Sequence, residues 1–360
     1  MPHCATPIAC LTALLLASAA LAQGGSGGGG LNIPDTSPDR RETPTRRQPA
    51  RDDVSTPAAD LRPKWETGDT SRLVITIRSR SSVVENPNPD PCAPKTVMPP
   101  GPPGQIMDQE LTLLERVTKV DSDGNATVEM VYERVKVELQ SEALGDFEFD
   151  STAPPPGKPN RAPSSPGGAM DQAVQEALRP TFQGLVGTKL TLVYDKDGNI
   201  VSSSGGGNAG LPGLMGGLGL GGAGLPADPK ALGDLFGPIS SIRKGGQDPS
   251  KLRPGDKWTN TDQLGIGPLG NVRLKTTHTL QSHSGGRARV SFNGMAETDT
   301  SGAGSPVKLD AAKFIGEYVW DTRRGRLVSM QTEQETALST GGNRMVSSTN
   351  STVERQDARR

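Results

Sequence analysis

The stretch LTLVYDKDGNIV, residues 190–201, decides the fold class because it reads as two short strands around a glycine turn. Leu190, Leu192 and Tyr194 lie two residues apart, which is the period of a strand that buries one face. Gly198 supplies the conformational freedom that a tight turn between two such strands needs. The stretch therefore predicts an antiparallel β-hairpin.

The same period recurs along the chain and predicts further strands. It is clear at 73–77, at 126–139 and at 288–292. Within 126–139 the apolar residues change parity, so we predict a β-bulge near Glu133 and Arg134, because one extra residue keeps the following apolar side chains on the buried face.

Two short helices are predicted beside the strands. Residues 170–178 place Met, Val, Ala and Leu side chains on one helical face, and Asp228 followed by Pro229 is typical of a helix start. We therefore expect a mainly antiparallel β (α+β) fold, with two diverged β-rich halves, one or two short helices and long disordered loops.

The two halves are predicted from an internal repeat. Residues 120–128 align with 282–290, and residues 194–201 align with 320–328, each as a strand, a glycine turn and a strand. Repetition of the same two units in the same order indicates two diverged copies of one antiparallel arrangement.

Composition divides the chain into segments of different character. We expect a single β-rich domain at 61–350, whose halves at 61–203 and 252–350 are joined by a Gly/Leu-rich loop and a short helix at 204–251. The flanking segments are a signal peptide at 1–22, a disordered Gly/Pro/Arg-rich tether at 23–60 and a disordered tail at 351–360.

The segment 1–22 predicts export. Its apolar run is shorter than the about 20 residues of a spanning helix, and it ends in Ala-Leu-Ala before Gln23. We expect cleavage between Ala22 and Gln23 and an extracytoplasmic mature chain, periplasmic or secreted, that does not span the membrane. A retained anchor is the alternative, and a lipoprotein is disfavoured because Cys10 precedes the apolar core instead of following it.

Composition excludes several classes of protein. Only 32% of residues are hydrophobic, and 45 Gly and 31 Pro limit how much of the chain can form a core. The net charge of -1, from 39 basic and 40 acidic residues, argues against a nucleic-acid binder. Cys92 is the one thiol left after signal removal, so no intramolecular disulfide is expected.

The order of these parts resembles an uncharacterised bacterial family of exported proteins, a domain of unknown function. The matching motifs are the opening PGDKW at 254–258, the turn DSDGNA at 121–126, the hairpin from Gly187 to Gly198, and Gly316 to Asp321 followed by Gly-Arg-Leu at 325–327. The resemblance covers about Arg62 to Leu338. It implies export and a β-rich fold, and it implies no chemistry.

Two short motifs match the residue pattern of a catalytic or cofactor-binding motif without its structural context. The Gly-x-Ser-x-Gly at 24–28 lies in the predicted tether, where Ser26 lacks the strand-to-helix turn and the His partner of a nucleophile. The Gly-x-Gly-x-x-Gly at 219–224 lies in a glycine-saturated run followed by Pro226. We predict no catalytic and no cofactor-binding residues.

Metal binding is also not expected. The turns at 121–125 and 195–199 carry carboxylates, but their spacing is that of hairpin turns and not of a helical calcium loop. His278, expected in a strand, and His283, expected in a turn, have no second ligand at metal-binding spacing.

The aromatic residues have two interpretations. A platform for a sugar or lipid is one, and placement in the core is the favoured one, because aromatics are only 3% of the chain. These side chains are Trp65, Trp258, Trp320, Tyr132, Tyr194 and Tyr318. The Gly/Leu-rich residues 211–225 are interpreted as a linker, with a lid over a cavity as the alternative.

The function expected is that of an exported, non-catalytic binding module whose sheet holds an apolar ligand or an envelope protein, with no cofactor. A structural or assembly component of the cell envelope is the first alternative, and an enzyme of unknown class is the second.

Overall fold

The computed structural model describes residues 57–85, 104–141, 146–153, 178–180, 182–205, 246–266, 270–298, 307–340 and 343–358. Across these residues twelve strands form one antiparallel sheet. The strands are β1 (Thr70–Glu85), β2 (Gln105–Val120), β3 (Ala126–Ser141), β4 (Phe147–Asp150), β5 (Lys189–Tyr194), β6 (Ile200–Gly205), β7 (Lys257–Ile266), β8 (Gly270–Ser284), β9 (Arg287–Thr298), β10 (Val307–Asp321), β11 (Arg326–Thr340) and β12 (Asn343–Asp357).

The strand order is β6-β5-β3-β2-β1-β12-β11-β10-β9-β8-β7, and β4 pairs with β3 beside this path. A short helix, α1, is described at 178–180 and 182–185. The expected mainly antiparallel β fold is thereby confirmed.

Each half of the chain is a meander in which successive strands pair. The first meander runs β1, β2, β3, β5 and β6, and the second runs β7 to β11. The turns that the sequence aligned occupy equivalent places in the two meanders. Gly124, Gly198, Gly286 and Gly325 all have positive φ there, between 59° and 85°, which a β-branched residue adopts only with strain.

The strand β12 corrects the predicted boundaries at the C-terminus. Residues 351–357, which the sequence assigned to a disordered tail, belong to β12, and β12 pairs with both β1 and β11. It therefore lies in the middle of the sheet and joins the two meanders. Its Ser- and Thr-rich sequence has no run of alternating apolar residues, so the local period could not indicate a strand. The neighbouring strands on both sides supply its hydrogen bonds.

One face of the sheet is buried on almost every strand. Glu133 is the extra residue in the pairing of β2 with β3, where Thr112 is opposite Arg134 and Leu113 is opposite Tyr132, so the predicted bulge is confirmed. The apolar side chains of this face include Leu73, Ile75, Ile77, Leu111, Leu113, Val128, Met130, Val137, Leu190, Leu192, Leu280 and Val290.

Helix α1 covers part of this face next to β4. Leu178, Phe182 and Leu185, spaced four and three residues apart, are all buried. The Phe182 ring packs 5.6 Å from Phe147 and 5.7 Å from Phe149. The predicted helical face over 170–178 overlaps this helix at Leu178, and residues 170–177 lie outside the described residues.

One end of the sheet is closed by the segment 57–65, which precedes β1. Ala59 forms an antiparallel bridge with Leu252, ahead of β7, and is fully buried. The Trp65 ring stacks on Tyr194 of β5 with centroids 5.1 Å apart. Residues 57–60, which the sequence placed in the tether, thus belong to the folded part of the chain.

These contacts indicate a curled sheet, because the segment 57–65 contacts residues near both of its ends. Nine strand spacings separate β5 from β7 in the strand order, which is about 43 Å in a flat sheet at about 4.8 Å each. The six steps from Ala59 to Trp65 span at most about 21 Å. Between them Lys64 donates its backbone N–H to the carbonyl of Gly325 at 3.2 Å. The buried face lies on the inside of this curve.

The other face is exposed and carries charge pairs between strands. Arg72 pairs with Glu133 at 2.6 Å, and Arg78 pairs with Asp108 at 2.8 Å. Such exposed pairs contribute little to stability individually, and they keep this face solvated.

The signal peptide at 1–22, the tether over 23–56, the Gly/Leu-rich residues 211–225 and the predicted helix at Asp228 lie outside the described residues. Within the described ranges no helix is long and apolar enough to cross a membrane.

Candidate functional site

A set of aromatic rings lies on the buried face of the second meander. We call it the ring cluster, and it consists of Trp258, His278, Phe292, Phe314 and Tyr318. The His278 imidazole is at its centre: it lies parallel to the Trp258 ring at 5.2 Å, 5.7 Å from Phe292 and 6.4 Å from Tyr318. Phe292 also contacts Phe314 at 6.4 Å and Tyr318 at 6.3 Å.

The pairing register explains why these side chains meet although they come from four strands. Trp258 is opposite His278, and His278 is opposite Phe292. Phe292 is opposite Gly316, which in turn is opposite Thr332 of β11. Residues in one such row project to the same face, since side chains alternate along every strand.

Two glycines shape the floor of the ring cluster. A Cβ placed on Gly294 would lie 2.0 Å from Cζ of Phe314, and one placed on Gly316 would lie 2.5 Å from Cζ of Phe292. The two phenylalanine rings therefore lie directly over the backbone of the neighbouring strand. Both rings are less than a tenth exposed and pack against the glycine backbone on the inside of the sheet.

Several polar atoms around the ring cluster have no hydrogen-bond partner within the described chain. They are Oδ1 of Asn260, Nδ1 of His278, the hydroxyl of Tyr318 and Oγ1 of Thr332, and all four atoms are buried. Most buried polar groups in folded proteins are hydrogen-bonded, and leaving one without a partner costs about 1–3 kcal/mol. The Nε1 atoms of Trp65 and Trp320 are also buried without a partner within the described chain.

The ring cluster is electrically neutral near pH 7. Burial lowers the pKa of His278 to about 4, so its imidazole is uncharged. Burial raises the pKa of the Tyr318 phenol well above its usual value. The side chains of residues 262–271, 298, 307, 308 and 340 lie outside the described part of the structure. The polar side chains described as buried on β7 to β11 are uncharged: Asn260, Thr276, His278, Gln334, Thr336 and Ser339.

A row of small hydroxyl side chains lies beside the ring cluster, on the central strand of the sheet. Ser347, Thr349 and Ser351 of β12 are buried on the same face as the rings. Thr349 is opposite Gln334 of β11, whose side-chain amide donates to the hydroxyl of Thr336 at 3.4 Å. The buried face is therefore polar at the centre of the sheet, on β12, and aromatic at the ring cluster.

A second buried polar site lies between β1, β2 and β12. The Arg355 guanidinium donates to both carboxylate oxygens of Glu115, to the Ser71 hydroxyl at 2.6 Å and to the Leu327 carbonyl at 2.8 Å. Both charged side chains are less than a tenth exposed. Their charges compensate each other, and we call this group the ion-pair site.

The carboxylate turns are hairpin turns, as expected. Oδ1 of Asp121 accepts the backbone N–H groups of Asp123 and Asn125, both at 2.9 Å, and Oδ2 accepts the Asn125 side-chain amide. The turn beginning at Asp195 repeats this arrangement with Asn199. The carboxylate oxygens of Asp121 and Asp195 are bonded within their own turns. The described residues hold no group of three or more metal-binding side chains.

The aromatic side chains occupy the core, as favoured from the sequence. Five of the six are at most 3% exposed, and Trp65 is partly buried against them. His278 lies in β8, as expected, whereas His283 lies at the end of β8 and contacts the Pro57 carbonyl at 3.0 Å. The motifs at 24–28 and 219–224 lie outside the described residues.

Sequence reasoning missed Asn260 and Thr332 as members of a site. A signal was available for Asn260, because it lies two residues after Trp258 and so shares its face of β7. Thr332 had no such local signal, since the run from Met330 to Thr336 contains no other large apolar residue. Only the pairing of β11 with β10 shows that it faces inward.

No family model and no curated protein matches this chain. Among solved structures it is similar to DynF from the dynemicin biosynthesis pathway of Micromonospora chersina, with 8% identity over 84% of this chain and 86% of that one and a TM-score of 0.18. It is also similar to the translocator domain of the autotransporter NalP from Neisseria meningitidis, with 8% identity, 81% and 89% coverage and a TM-score of 0.24. These scores are too low to carry a functional argument.

Proposed function

We propose that this chain is an exported, non-catalytic binding protein that holds a small ligand at the ring cluster, on the inside of its curled sheet. The observation that carries the proposal is the group of buried polar atoms without partners at Asn260, His278, Tyr318 and Thr332. Ligand sites combine apolar and aromatic walls with a few converging polar groups, and the ring cluster has that composition.

Binding is favoured over proton-transfer catalysis by the state of the two titratable groups. With a pKa near 4, His278 is a weak base at neutral pH. The Tyr318 phenol has a raised pKa and is a correspondingly weak acid. Neither group is tuned toward the working pH as a general acid or base would be.

Export is the other part of the proposal, and it rests on residues 1–22 of the sequence. Edman sequencing of the chain from an envelope or culture fraction should begin at Gln23. Recovery of an intact Met1 in the membrane fraction would favour the retained anchor instead.

Native mass spectrometry of the protein purified from its own host tests ligand binding. We expect a fraction with added mass, which organic extraction removes. The double variant Tyr318→Phe with Thr332→Val should lose the added mass, because it removes two of the polar atoms that the ligand would satisfy.

Thr76→Val is the matched control, since Thr76 is exposed on the opposite face of β1. It should retain the added mass. A bare polypeptide mass for the unmodified protein, or an added mass that persists in the double variant, would contradict the proposal. Discrete oligomers without added mass would favour an envelope assembly component.

A further inference from the structure

The charge, shape and hydrogen-bonding capacity of the ring cluster also restrict what the ligand can be. We infer that it is a neutral, flat molecule of fused aromatic or heteroaromatic rings with polar groups on its rim, and not an acyl chain or an ion. This inference rests on the proposed function and names the ligand class for the same site.

The charge argument comes from the surroundings of the ring cluster. An ion taken out of water needs a countercharge or several hydrogen bonds to be bound well. The side chains described as polar and buried on β7 to β11, which leave out those of residues 262–271, 298, 307, 308 and 340, are uncharged. The buried charges of Glu115 and Arg355 lie on β2 and β12 and are paired with each other. A neutral ligand is the one that these surroundings can hold.

The shape argument comes from the rings. Trp258 and His278 lie parallel, with an interplanar angle of 0°, and the rings of Phe292 and Phe314 lie over Gly316 and Gly294. Flat rings stack on such surfaces face to face with an offset, or pack edge to face. A flexible chain gains less from this geometry than a rigid planar ligand, because its rotatable bonds must be ordered on binding.

The hydrogen-bonding argument comes from the types of the four polar atoms. Oδ1 of Asn260 only accepts, so the ligand must donate there. The hydroxyls of Tyr318 and Thr332 donate or accept, and Nδ1 of His278 does one or the other according to its tautomer. An alkyl chain satisfies none of these atoms, whereas a ring with amide, hydroxyl or ring N–H groups on its rim satisfies several.

The size follows from the strand positions. Asn260 lies on β7 and Thr332 on β11, which is four strand spacings away, or about 19 Å along a flat sheet. Curling brings inward-pointing side chains closer than this, and Tyr318 lies between them on β10. Two or three fused rings with polar substituents would reach the Tyr318 hydroxyl and a polar atom on one side of it.

Isothermal titration calorimetry of the purified full mature chain, with matched probes, tests the ligand class. The probes are indoleacetamide and quinoline carboxamide, each beside its carboxylate, and dodecanol as an uncharged chain. We expect each amide to bind at least about tenfold more tightly than its carboxylate, and dodecanol to bind more weakly than both amides. Tighter binding of the carboxylates or of dodecanol, or no binding of either amide, would overturn the inference.

Substitutions in the ring cluster and beside it test whether the amide probes bind there. Asn260→Leu and Tyr318→Phe should each weaken binding of the amides by about tenfold, while Thr76→Val should leave it unchanged. Thr332→Val is the second variant for the case in which Asn260→Leu fails to fold. Amide binding that is unaffected by Tyr318→Phe and Thr332→Val in folded protein would overturn the placement.

Failure of this inference is distinguishable from failure of the proposed function. An added mass from the native host that is identified as a fatty acyl compound would overturn the ligand class and leave the binding function standing. Absence of both an added mass and probe binding would overturn both.

Discussion

The ion-pair site and the ring cluster are two buried polar regions of one sheet, and they differ in how their polar groups are satisfied. At the ion-pair site the Arg355 guanidinium binds Glu115, Ser71 and the Leu327 carbonyl. At the ring cluster four polar atoms have no partner within the described chain. The first arrangement is complete within the described chain, whereas the second would need a partner from outside it, which is what the proposed ligand would supply. If the proposed function holds, this difference separates polar burial that supports the fold from polar burial that supports binding.

The largest expected effect is at the ion-pair site. Arg355→Met leaves the Glu115 carboxylate buried without a cation, and we expect the free energy of unfolding to fall by about 3–5 kcal/mol. Urea unfolding followed by circular dichroism measures it. A second change, Glu115→Leu in the same chain, should recover much of the loss because no uncompensated charge remains.

The exposed pair of Arg289 and Glu317, 3.0 Å apart on the other face, is the control. Arg289→Met should cost less than about 1 kcal/mol. Equal losses for Arg355→Met and Arg289→Met would contradict the distinction between buried and exposed pairs in this sheet.

The second effect is a pH dependence of the free energy of unfolding, which arises from His278 in the ring cluster. Burial lowers the pKa of His278 to about 4, from the ordinary value of 6.5 that it regains on unfolding. The unfolded chain therefore binds a proton at higher pH than the folded chain, so stability falls as the pH drops from 6.5 through 4. The linkage amounts to about 3 kcal/mol at pH 4.

His278→Phe should remove this component, because phenylalanine keeps the ring stack and does not titrate. The measurement is the urea midpoint of both proteins between pH 7 and pH 4, from which the difference in pH dependence is taken. Tyr318 is the titratable side chain facing His278 from β10, and its raised pKa keeps it neutral over this range. Parallel pH curves for the two proteins would show that His278 is not buried as described.

The third effect is a change in stability that should be positive for Thr332→Val and negative for Thr322→Val. Thr332→Val should stabilise the ligand-free protein by about 1 kcal/mol, because it removes a buried hydroxyl without a partner. Thr322→Val should destabilise it by about 1 kcal/mol, because the Thr322 hydroxyl donates to the Gly286 carbonyl at 3.0 Å. Calorimetry of the ligand-free proteins measures both changes as shifts in melting temperature. Destabilisation by both variants would mean that Thr332 has a partner inside the fold.

The smallest effect is expected at the solvated turns. The pKa of the Asp121 carboxyl is lowered, mainly by the hydrogen bond from the Asn125 side-chain amide. Asp121→Asn should shift the melting temperature only slightly, because the remaining oxygen still accepts the backbone N–H groups of the turn. Gly124→Val should shift it much more, since φ is 85° there. Calcium that raises the melting temperature of the unmodified chain but not of the Asp121 variant would overturn the turn interpretation.

Much of the fold could be predicted from local patterns. The hairpin at 190–201 and the bulge at Glu133 follow from the spacing of apolar residues and from turn glycines, and both depend only on near neighbours in the chain. Of the candidate site, His278 was predicted in a strand and Tyr318 in the core. Their meeting was not predictable, because it depends on the register of two strand pairings, β8 with β9 and β9 with β10.

The sequence by itself determined the strands with two-residue periods and the glycine turns between them, because these follow from backbone geometry within a few residues. The tertiary structure decided that β12, with Ser347, Thr349 and Ser351 on its buried face, would lie in the middle of the sheet. It also decided that Asn260 and Thr332 would flank the ring cluster. The physical reason is that a strand without apolar alternation acquires its hydrogen bonds and its burial from the strands beside it, and the identity of those strands is not a local property of the chain.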